Sequence, residues 1–407
     1  MDLHFTPEDI SFRMRVRKWF EENAPKQELK TLDERKAWHR KMYDAGFVGM
    51  GWPKEYGGKN ARPMEQAIVA DEMARVSAPS TVNGLGISIC GPTIIVHGTE
   101  QQKQRFLKKI LTAEEIWCQL FSEPNAGSDL ASLKTRAEDK GDYFEINGQK
   151  VWTSGGFIAD WGILLARTDP HAPKHQGISF FLFNMRQPGV EVRPLKQITA
   201  NADFCEVFFT NARAEKENLI GQLNQGWNIA QTTLGFERGA GTLNRVTIYL
   251  RSLRRLVQVT KNLKHNGGAA IDDALVRQKL GRAYVELEVM RYSGLRILSR
   301  LEKGQRPGPE SSIAKLFYSE FEKRYLESVM EILGPYGSIL EGLPTELSEI
   351  GADLLTGRHA AWGTSFLQSR APTIYAGTSE IQKNIIGERV LGLPKEIRAD
   401  RMQGKGE

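Results

Sequence analysis

YFEINGQKVWTSGGFIADWGILLART, residues 143–168, is the stretch where the chain leaves one kind of periodicity for another. Its two halves, YFEINGQKVWTS and WGILLART, are short runs rich in β-branched and aromatic residues. Further runs of the same kind follow, GISFFLFNM, GVEVRPL and CEVFFTNAR, separated by Asn-Gly, Asp-Pro and Pro-Gly turn signals. That pattern predicts strands, and together they predict an all-β domain over 116–222. Upstream the spacing is helical. Thr6-Pro7-Glu8-Asp9 is a helix start, with a capping residue and a proline where the missing N–H does no harm. Thr99 opens a second, TEQQKQRFLKKIL, with Phe106, Leu107, Ile110 and Leu111 on one face. GWPKEYGG, residues 51–58, lies between as a turn-rich loop. After Gly221 helical spacing returns. Leu280, Tyr284, Leu287 and Leu298 mark one long helix; Ile313, Leu316, Phe321, Val329 and Ile332 mark another that stops at Gly334-Pro335. The expectation is an α+β multidomain chain: helices over 1–115, strands over 116–222, a helical bundle over 223–407.

Composition narrows the partners less than the fold. The 407 residues carry 55 Lys and Arg against 49 Asp and Glu, a net charge of +6. Such a balance suits a nucleotide cofactor, a phosphorylated substrate or nucleic acid, and equally an ordinary surface with no special partner. No apolar run reaches the 18 residues of a membrane span, and the N-terminal MDLHFTPEDISFRMRVRKWF lacks an apolar signal core, so the expected location is cytoplasmic. Cys90, Cys118 and Cys205 show no metal or disulfide spacing and read as core thiols. His171 and His175 are separated as on a helix, but Asp169-Pro170 and Pro173 place them in a loop; no metal site is expected.

Three stretches could carry chemistry. In CQLFSEPNAGSDLASLKT, residues 118–135, a strand leads into Ser122-Glu123-Pro124 and a tight turn ending at Ser128-Asp129. Such a turn offers backbone N–H groups to a flat ring or a phosphate, or is a plain surface turn. In NGQKVWTSGGFIADW, residues 147–161, Trp152 stands beside Thr153, Ser154 and the Gly155-Gly156 pair. An aromatic wall, hydroxyls and close-approach glycines suit a planar cofactor; the bland alternative is a β-turn with a core tryptophan. In RAPTIYAGTSEIQKNIIGERVLGLPKE, residues 370–396, a corner at Ala376 precedes a helix start at Gly377-Thr378-Ser379. Its free N–H groups attract an anion or an electron-rich atom, or are simply capped. No Walker loop or complete Rossmann fingerprint is present.

FSEPNAGSD, GQKVWTSGG, Phe236-Glu237-Arg238 and IYAGTSEIQKNIIGERVLG, in this order, resemble the FAD-dependent acyl-CoA dehydrogenase family along nearly the whole chain. The resemblance implies an N-terminal helical domain, a middle β-barrel or sandwich and a C-terminal four-helix bundle. It also implies α,β-desaturation of an acyl-CoA thioester, a carboxylate taking the α-proton while the β-hydrogen leaves as hydride to the flavin. By that resemblance Phe121 and Ser122 contact the flavin ring, Trp152 walls it, and Ser154, beside Thr153, bonds a ring nitrogen. Ser128 lies along the CoA arm, while Thr378 and Glu380 meet the flavin nucleotide. An electron-transferring flavoprotein is the implied electron acceptor, with oxygen, as in an oxidase, the alternative that the sequence does not separate from it.

Much of the family carries a glutamate at the corner, where this chain has Ala376. A minority, similar to isovaleryl-CoA and long-chain acyl-CoA dehydrogenases, places the base on the first long helix of the C-terminal domain. Glu237, followed by Arg238, occupies that place here. The expectation is that Glu237 is the base, since a carboxylate shut away from water under a ring and a thioester gains basicity near working pH; the alternative is a surface charge or an ion-pair partner. Ala376 keeps its family task, because the corner acts through its backbone N–H on the thioester carbonyl.

Two departures bear on assembly. KHNGGAAIDDALVRQKLGR lacks the Arg-x-x-Phe-Gly motif that reaches a neighbour's FAD pyrophosphate in the family's homotetramers. The Gln-x-x-Gly-Gly-Asn-Gly stretch has become Glu331-Ile332-Leu333-Gly334-Pro335-Tyr336-Gly337. A carboxylate facing a pyrophosphate is repulsive unless the geometry differs. The implied assembly is a heterotetramer with a related subunit, as in bacterial relatives acting on bulky acyl-CoAs such as steroid side chains, or a homo-oligomer with a rearranged site. Two other readings stand beside the enzyme: a flavoprotein of the DNA-alkylation-response type, against which no basic tail is present and no nucleic acid is expected, and a non-catalytic subunit.

Overall fold

Thr6 opens the first helix by a reciprocal cap: its hydroxyl accepts the Asp9 N–H at 3.2 Å, and the Asp9 carboxylate accepts the Thr6 N–H at 3.1 Å. Two otherwise orphaned donors are thereby satisfied. The computed structural model describes residues 5–236, 242–265, 267–305, 308–309, 311–340, 343–344, 346–348 and 361–395. Within them the N-terminal part holds α1 (Pro7–Asn23), α2 (Leu32–Asp44), α3 (Pro63–Arg75), α4 (Gly91–His97) and α5 (Glu100–Thr112). Thr99 repeats the reciprocal cap with Gln102, and α5 buries Phe106, Leu107, Ile110 and Leu111 as its spacing predicts.

A buried carboxylate ties α1 to α3. Glu72 is fully buried and accepts from Arg13 at 3.0 Å, from Arg17 at 2.9 and 3.0 Å and from Arg75 at 2.7 Å. Burial alone would push its carboxyl up; the hydrogen bonds and charges of Arg17, Arg75 and Arg13 more than reverse this and hold it below the ordinary 4.5. A carboxylate with a depressed folded pKa stabilises above its unfolded pKa, and that contribution is lost as pH falls through the folded value. Wild-type melting temperature should therefore drop below about pH 4.5. Glu72→Gln should cost on the order of 3 kcal/mol at neutral pH, since it leaves three guanidinium groups facing a neutral amide, and should flatten the acid drop. Melts at a series of pH values check both; an equally steep acid drop in the variant would remove Glu72 as its source.

The middle part is one mixed sheet of eight strands: β1 (Trp117–Leu120), β2 (Arg136–Asp139), β3 (Tyr143–Ser154), β4 (Trp161–Arg167), β5 (Ile178–Asn184), β6 (Val190–Leu195), β7 (Phe204–Glu215) and β8 (Leu219–Ile220). The order is β6-β7-β3-β2-β4-β5-β8, with β1 parallel to β4. Strands β4 and β5 are buried on both faces, which is why they read as unbroken apolar runs. Ile163, Leu165, Phe180 and Leu182 pack on the N-terminal helices. Leu164, Ala166, Phe181 and Phe183 pack inward, where Phe181 meets Phe144 and Phe183 meets Phe209, each at 5.2 Å between ring centroids. The sheet is thus folded over its own core. All three cysteines are buried and free.

The C-terminal part comprises α6 (Gly226–Phe236), α7 (Thr242–Asn262), α8 (Ala274–Glu302), α9 (Ser311–Leu333), α10 (Trp362–Gln368) and α11 (Ser379–Ile385). The three long helices pack on one another around Leu256, Val259, Leu287, Met290, Phe321 and Val329, and α10 and α11 pack on α9. One expectation about α8 is corrected. Leu280, Leu287 and Leu298 face the core, but Tyr284 is exposed, rotated one residue away from the buried Ala283. Helix α3 is bound to this part by the Arg251 guanidinium on the Ala74 carbonyl at 2.7 Å and by the Thr247 hydroxyl on Asp71. The substituted Glu331 does not stand alone: it pairs with Lys279 across α8 and α9.

Candidate active site

A bulge in β3 presents the middle domain's candidate residues. The β3–β7 register runs from Lys150 opposite Val207 to Thr153 opposite Cys205, so Val151 and Trp152 share one partner position. Trp152 takes φ of +61°, a conformation that costs a bulky residue on the order of 1–3 kcal/mol. The bulge turns the indole outward, 61% exposed, with its edge on Phe204. The alternative of a core tryptophan is thereby excluded. Thr153, next to it, is fully buried, and its hydroxyl has no hydrogen-bond partner among the described residues. Ser154 is half-buried and leads into Gly155, whose φ of +65° the following turn requires.

The Ser122 turn is fastened to this bulge by a buried ion pair. Lys150, on the inward register of β3, is completely buried and donates to the Phe121 carbonyl at 3.0 Å and to Glu123 Oε1 at 2.8 Å. Glu123 also accepts the Lys134 N–H at 2.6 Å and the Thr135 N–H at 2.9 Å. The Val151 N–H donates to the Ser122 carbonyl at 2.9 Å. Burial pulls the Lys150 ammonium down to about 8, which leaves it charged at neutral pH. Glu123 is pushed up by burial and brought below its ordinary value by the Lys150 charge and its hydrogen bonds. The pair is therefore ionic, and it sets Phe121 and Ser122 beside 150–154.

The corner at 372–378 is built from α9. Ala376 has φ of +51° and Gly377 of +87°, so the chain makes two successive left-handed steps before Thr378 caps α11, its hydroxyl accepting the Ile381 N–H at 3.2 Å. Gln382 Nε2 donates to the Ala376 carbonyl at 3.1 Å and the Gly377 carbonyl at 3.3 Å. Lys315 Nζ donates to the Pro372 carbonyl at 2.8 Å and the Gly377 carbonyl at 2.5 Å. Ala376 is exposed, and among the described residues its N–H donates to no acceptor. Glu380 is exposed, held below its ordinary value by its own backbone N–H and the Thr378 hydroxyl. Behind the corner Tyr375 neighbours Tyr318, which lies under the Arg245 guanidinium at 3.9 Å; burial raises both phenols.

The expected residues thus fall into two groups. Phe121, Ser122, Trp152, Thr153 and Ser154 form one; Ala376, Thr378 and Glu380 form the other, and no hydrogen bond or ion pair among the described residues joins them. Ser128 is exposed beyond the first group, on a loop held by the Lys174–Asp129 pair at 2.9 Å. Glu237 and Arg238 lie outside the described residues. Lys150, Glu123, Lys315 and Gln382 were not singled out by the sequence reading. Only Lys150 left a signal there: it sits in register with Phe144 and Ile146, where a strand points inward.

The first group fits a flat heteroaromatic group: an outward indole, an unpartnered buried hydroxyl and a positive-φ glycine lie within residues 152–155. The second offers an unpaired N–H beside a capped helix start. The descriptions "Acyl-CoA dehydrogenase, N-terminal domain", "middle domain" and "C-terminal domain" match residues 6–114, 118–212 and 224–391. The chain belongs to the acyl-CoA dehydrogenase family of flavoprotein oxidoreductases. It is 39% identical to acyl-CoA dehydrogenase IpdE1 of Mycobacterium tuberculosis, over 95% of this chain and 98% of that one. Among solved structures it resembles the ChsE4-ChsE5 complex from Mycobacterium tuberculosis, with a TM-score of 0.82, 30% identity and coverage of 97% and 100%. The Tcur3481-Tcur3483 steroid ACAD superposes equally, with a TM-score of 0.82, 28% identity and the same coverage. Among the described residues no helix is long and apolar enough to cross a membrane.

Proposed function

We propose that this chain binds FAD and catalyses α,β-dehydrogenation of a bulky acyl-CoA thioester, with Glu237 as the base that takes the α-proton and Arg238 beside it. The observation that carries the reading is the corner: an exposed, unpaired N–H at Ala376, held in a left-handed turn by side chains from two helices. Aimed at a thioester carbonyl, that N–H stabilises the negative charge that develops as the α-proton leaves. Phe121, Ser122, Trp152, Thr153 and Ser154 would hold the flavin ring, Thr378 and Glu380 its nucleotide end, and Ser128 the CoA arm. Bound FAD would supply the acceptor for the β-hydrogen as hydride, the electrons then passing to an electron-transferring flavoprotein. With a flavin ring and a thioester bound against it, Glu237 would be shut off from water and its basicity raised.

A bulky substrate and a two-component assembly are supported by the steroid ACAD and the ChsE4-ChsE5 complex among the similar structures. The Lys279–Glu331 pair supports a rearranged site, because Glu331 already has its counter-charge within the chain. The test is anaerobic addition of a panel of straight, branched and steroid-derived acyl-CoAs to the purified, flavin-loaded protein. Bleaching of the flavin absorbance by the bulky members is expected; no bleaching by any acyl-CoA, alone or with the related subunit, would sink the proposal. Flavin per chain in the protein purified alone separates the assemblies: one tightly bound FAD per chain in an active homotetramer excludes the heteromer.

A further inference from the structure

The two carbonyls that Lys315 grips belong to Pro372 and Gly377, one on each side of Ala376. Lys315 reaches them from α9, 57 and 62 residues earlier in the chain. We propose that Lys315 is a positioning residue whose ammonium ties the two ends of the 372–377 turn together and so keeps the Ala376 N–H in its left-handed, outward-facing conformation. The catalytic half of this inference rests on the dehydrogenase reading above; the structural half stands without it. An alanine leaves the left-handed region unless its surroundings hold it there. Gln382 supplies the second hold, and it crowds Gly377 so closely that a Cβ there would meet its Nε2 at 2.4 Å. Gln382 lies on α11, the helix the turn leads into, whereas Lys315 ties the turn to α9 from 57 and 62 residues away in the chain.

Charged and titratable neighbours face Lys315 from every side of the corner. Arg245 comes from α7, Glu320 from α9 itself and Glu380 from α11; on the far side of Arg245 stand Tyr318 and Tyr375, with Glu322 of α9 acting on both. Burial, helped by Arg245 and opposed by Glu320 and Glu380, brings the ammonium down to about 8. Tyr318 and Tyr375 are held above, and Glu380 below, their ordinary values, so these three titrate away from that range. Loss of the Lys315 proton weakens both grips, since a charged donor bonds a carbonyl more strongly than a neutral one.

The test compares wild type with Lys315→Met and Lys315→Arg. Amide hydrogen exchange should be about tenfold faster at Ile374 and Tyr375, whose N–H groups the Ala371 carbonyl holds at 2.8 and 3.1 Å, in the Met variant, unchanged in the sheet, and near wild type in the Arg variant. With an acyl-CoA that bleaches the wild-type flavin, kcat of the Met variant should fall about a hundredfold with KM within about threefold, as for a misplaced group rather than lost binding. The wild-type alkaline limb of kcat near pH 8 should vanish in the Met variant and move up in the Arg variant. Unchanged exchange at Ile374 and Tyr375 overturns the positioning role whatever happens to turnover, and faster exchange with undiminished kcat overturns its catalytic consequence. If no acyl-CoA is turned over, the dehydrogenase reading fails and exchange alone decides whether Lys315 holds the corner. Should the Met variant not fold, Lys315→Gln, which keeps a donor without the charge, gives the same reading.

Discussion

Replacing Glu237 by glutamine is expected to lower turnover of acyl-CoA about a thousandfold while leaving flavin content unchanged. The size follows from removing a positioned general base, which contributes about 10² to 10⁴. Glutamine keeps the shape and the hydrogen-bonding reach of the side chain but accepts no proton, so binding survives and proton removal does not. The same variant offers a second reading. Much of the family carries a glutamate at the corner, and Ala376→Glu would put a carboxylate back there without removing the backbone N–H. In the Glu237→Gln background that change should restore part of the lost turnover, about tenfold or more, because the corner N–H and a carboxylate would again face one thioester. Rapid anaerobic mixing that follows flavin bleaching reads both. Turnover of Glu237→Gln within tenfold of wild type would move the base elsewhere, and the protein would then belong with relatives whose Glu-Arg pair is structural.

The second large effect lies in the sheet. Removing either member of the Lys150–Glu123 pair leaves a buried charge without its counter-charge, which costs about 3–5 kcal/mol. Lys150→Met and Glu123→Gln should each destabilise by about that amount, and Lys150→Met also removes the ammonium from the Phe121 carbonyl, leaving the Val151 N–H on the Ser122 carbonyl as the remaining tie to the bulge. Lys150→Met combined with Glu123→Leu should be less destabilised than the sum, since no buried charge remains, yet should bind flavin about tenfold more weakly than wild type because the Lys150 hold on the Phe121 carbonyl is still missing. Denaturant unfolding with a flavin titration on the same samples separates the two effects. If the double variant recovers stability and also binds flavin normally, the pair serves the fold alone.

Much of this protein was legible in its sequence because the deciding signals are local. The strands follow from β-branched and aromatic runs between turn residues, and the helix starts at Thr6 and Thr99 from capping chemistry within three residues. The corner at Ala376 was legible for the same reason: a small residue and a glycine before a threonine cap can only turn and then begin a helix. The outward face of Trp152 was not, because a bulge depends on how β3 meets β7, and neither strand alone records the skipped position. Tyr284 misled for a related reason, since helical spacing allows neighbouring faces and only packing chooses between them.

The chain's own order of residues determined the element types, their succession and the family, all of which rest on short-range periodicity and collinear motifs. Only the tertiary structure decided what holds the candidate site in shape. Lys150 meets Glu123 across 27 residues, Lys315 reaches the corner across 57 and 62, and Lys279 answers Glu331 across 52. A charge says nothing in sequence about which carbonyl or carboxylate it will face. That choice is made when burial strips away water and leaves each ammonium the few acceptors that the packed helices and strands bring within reach.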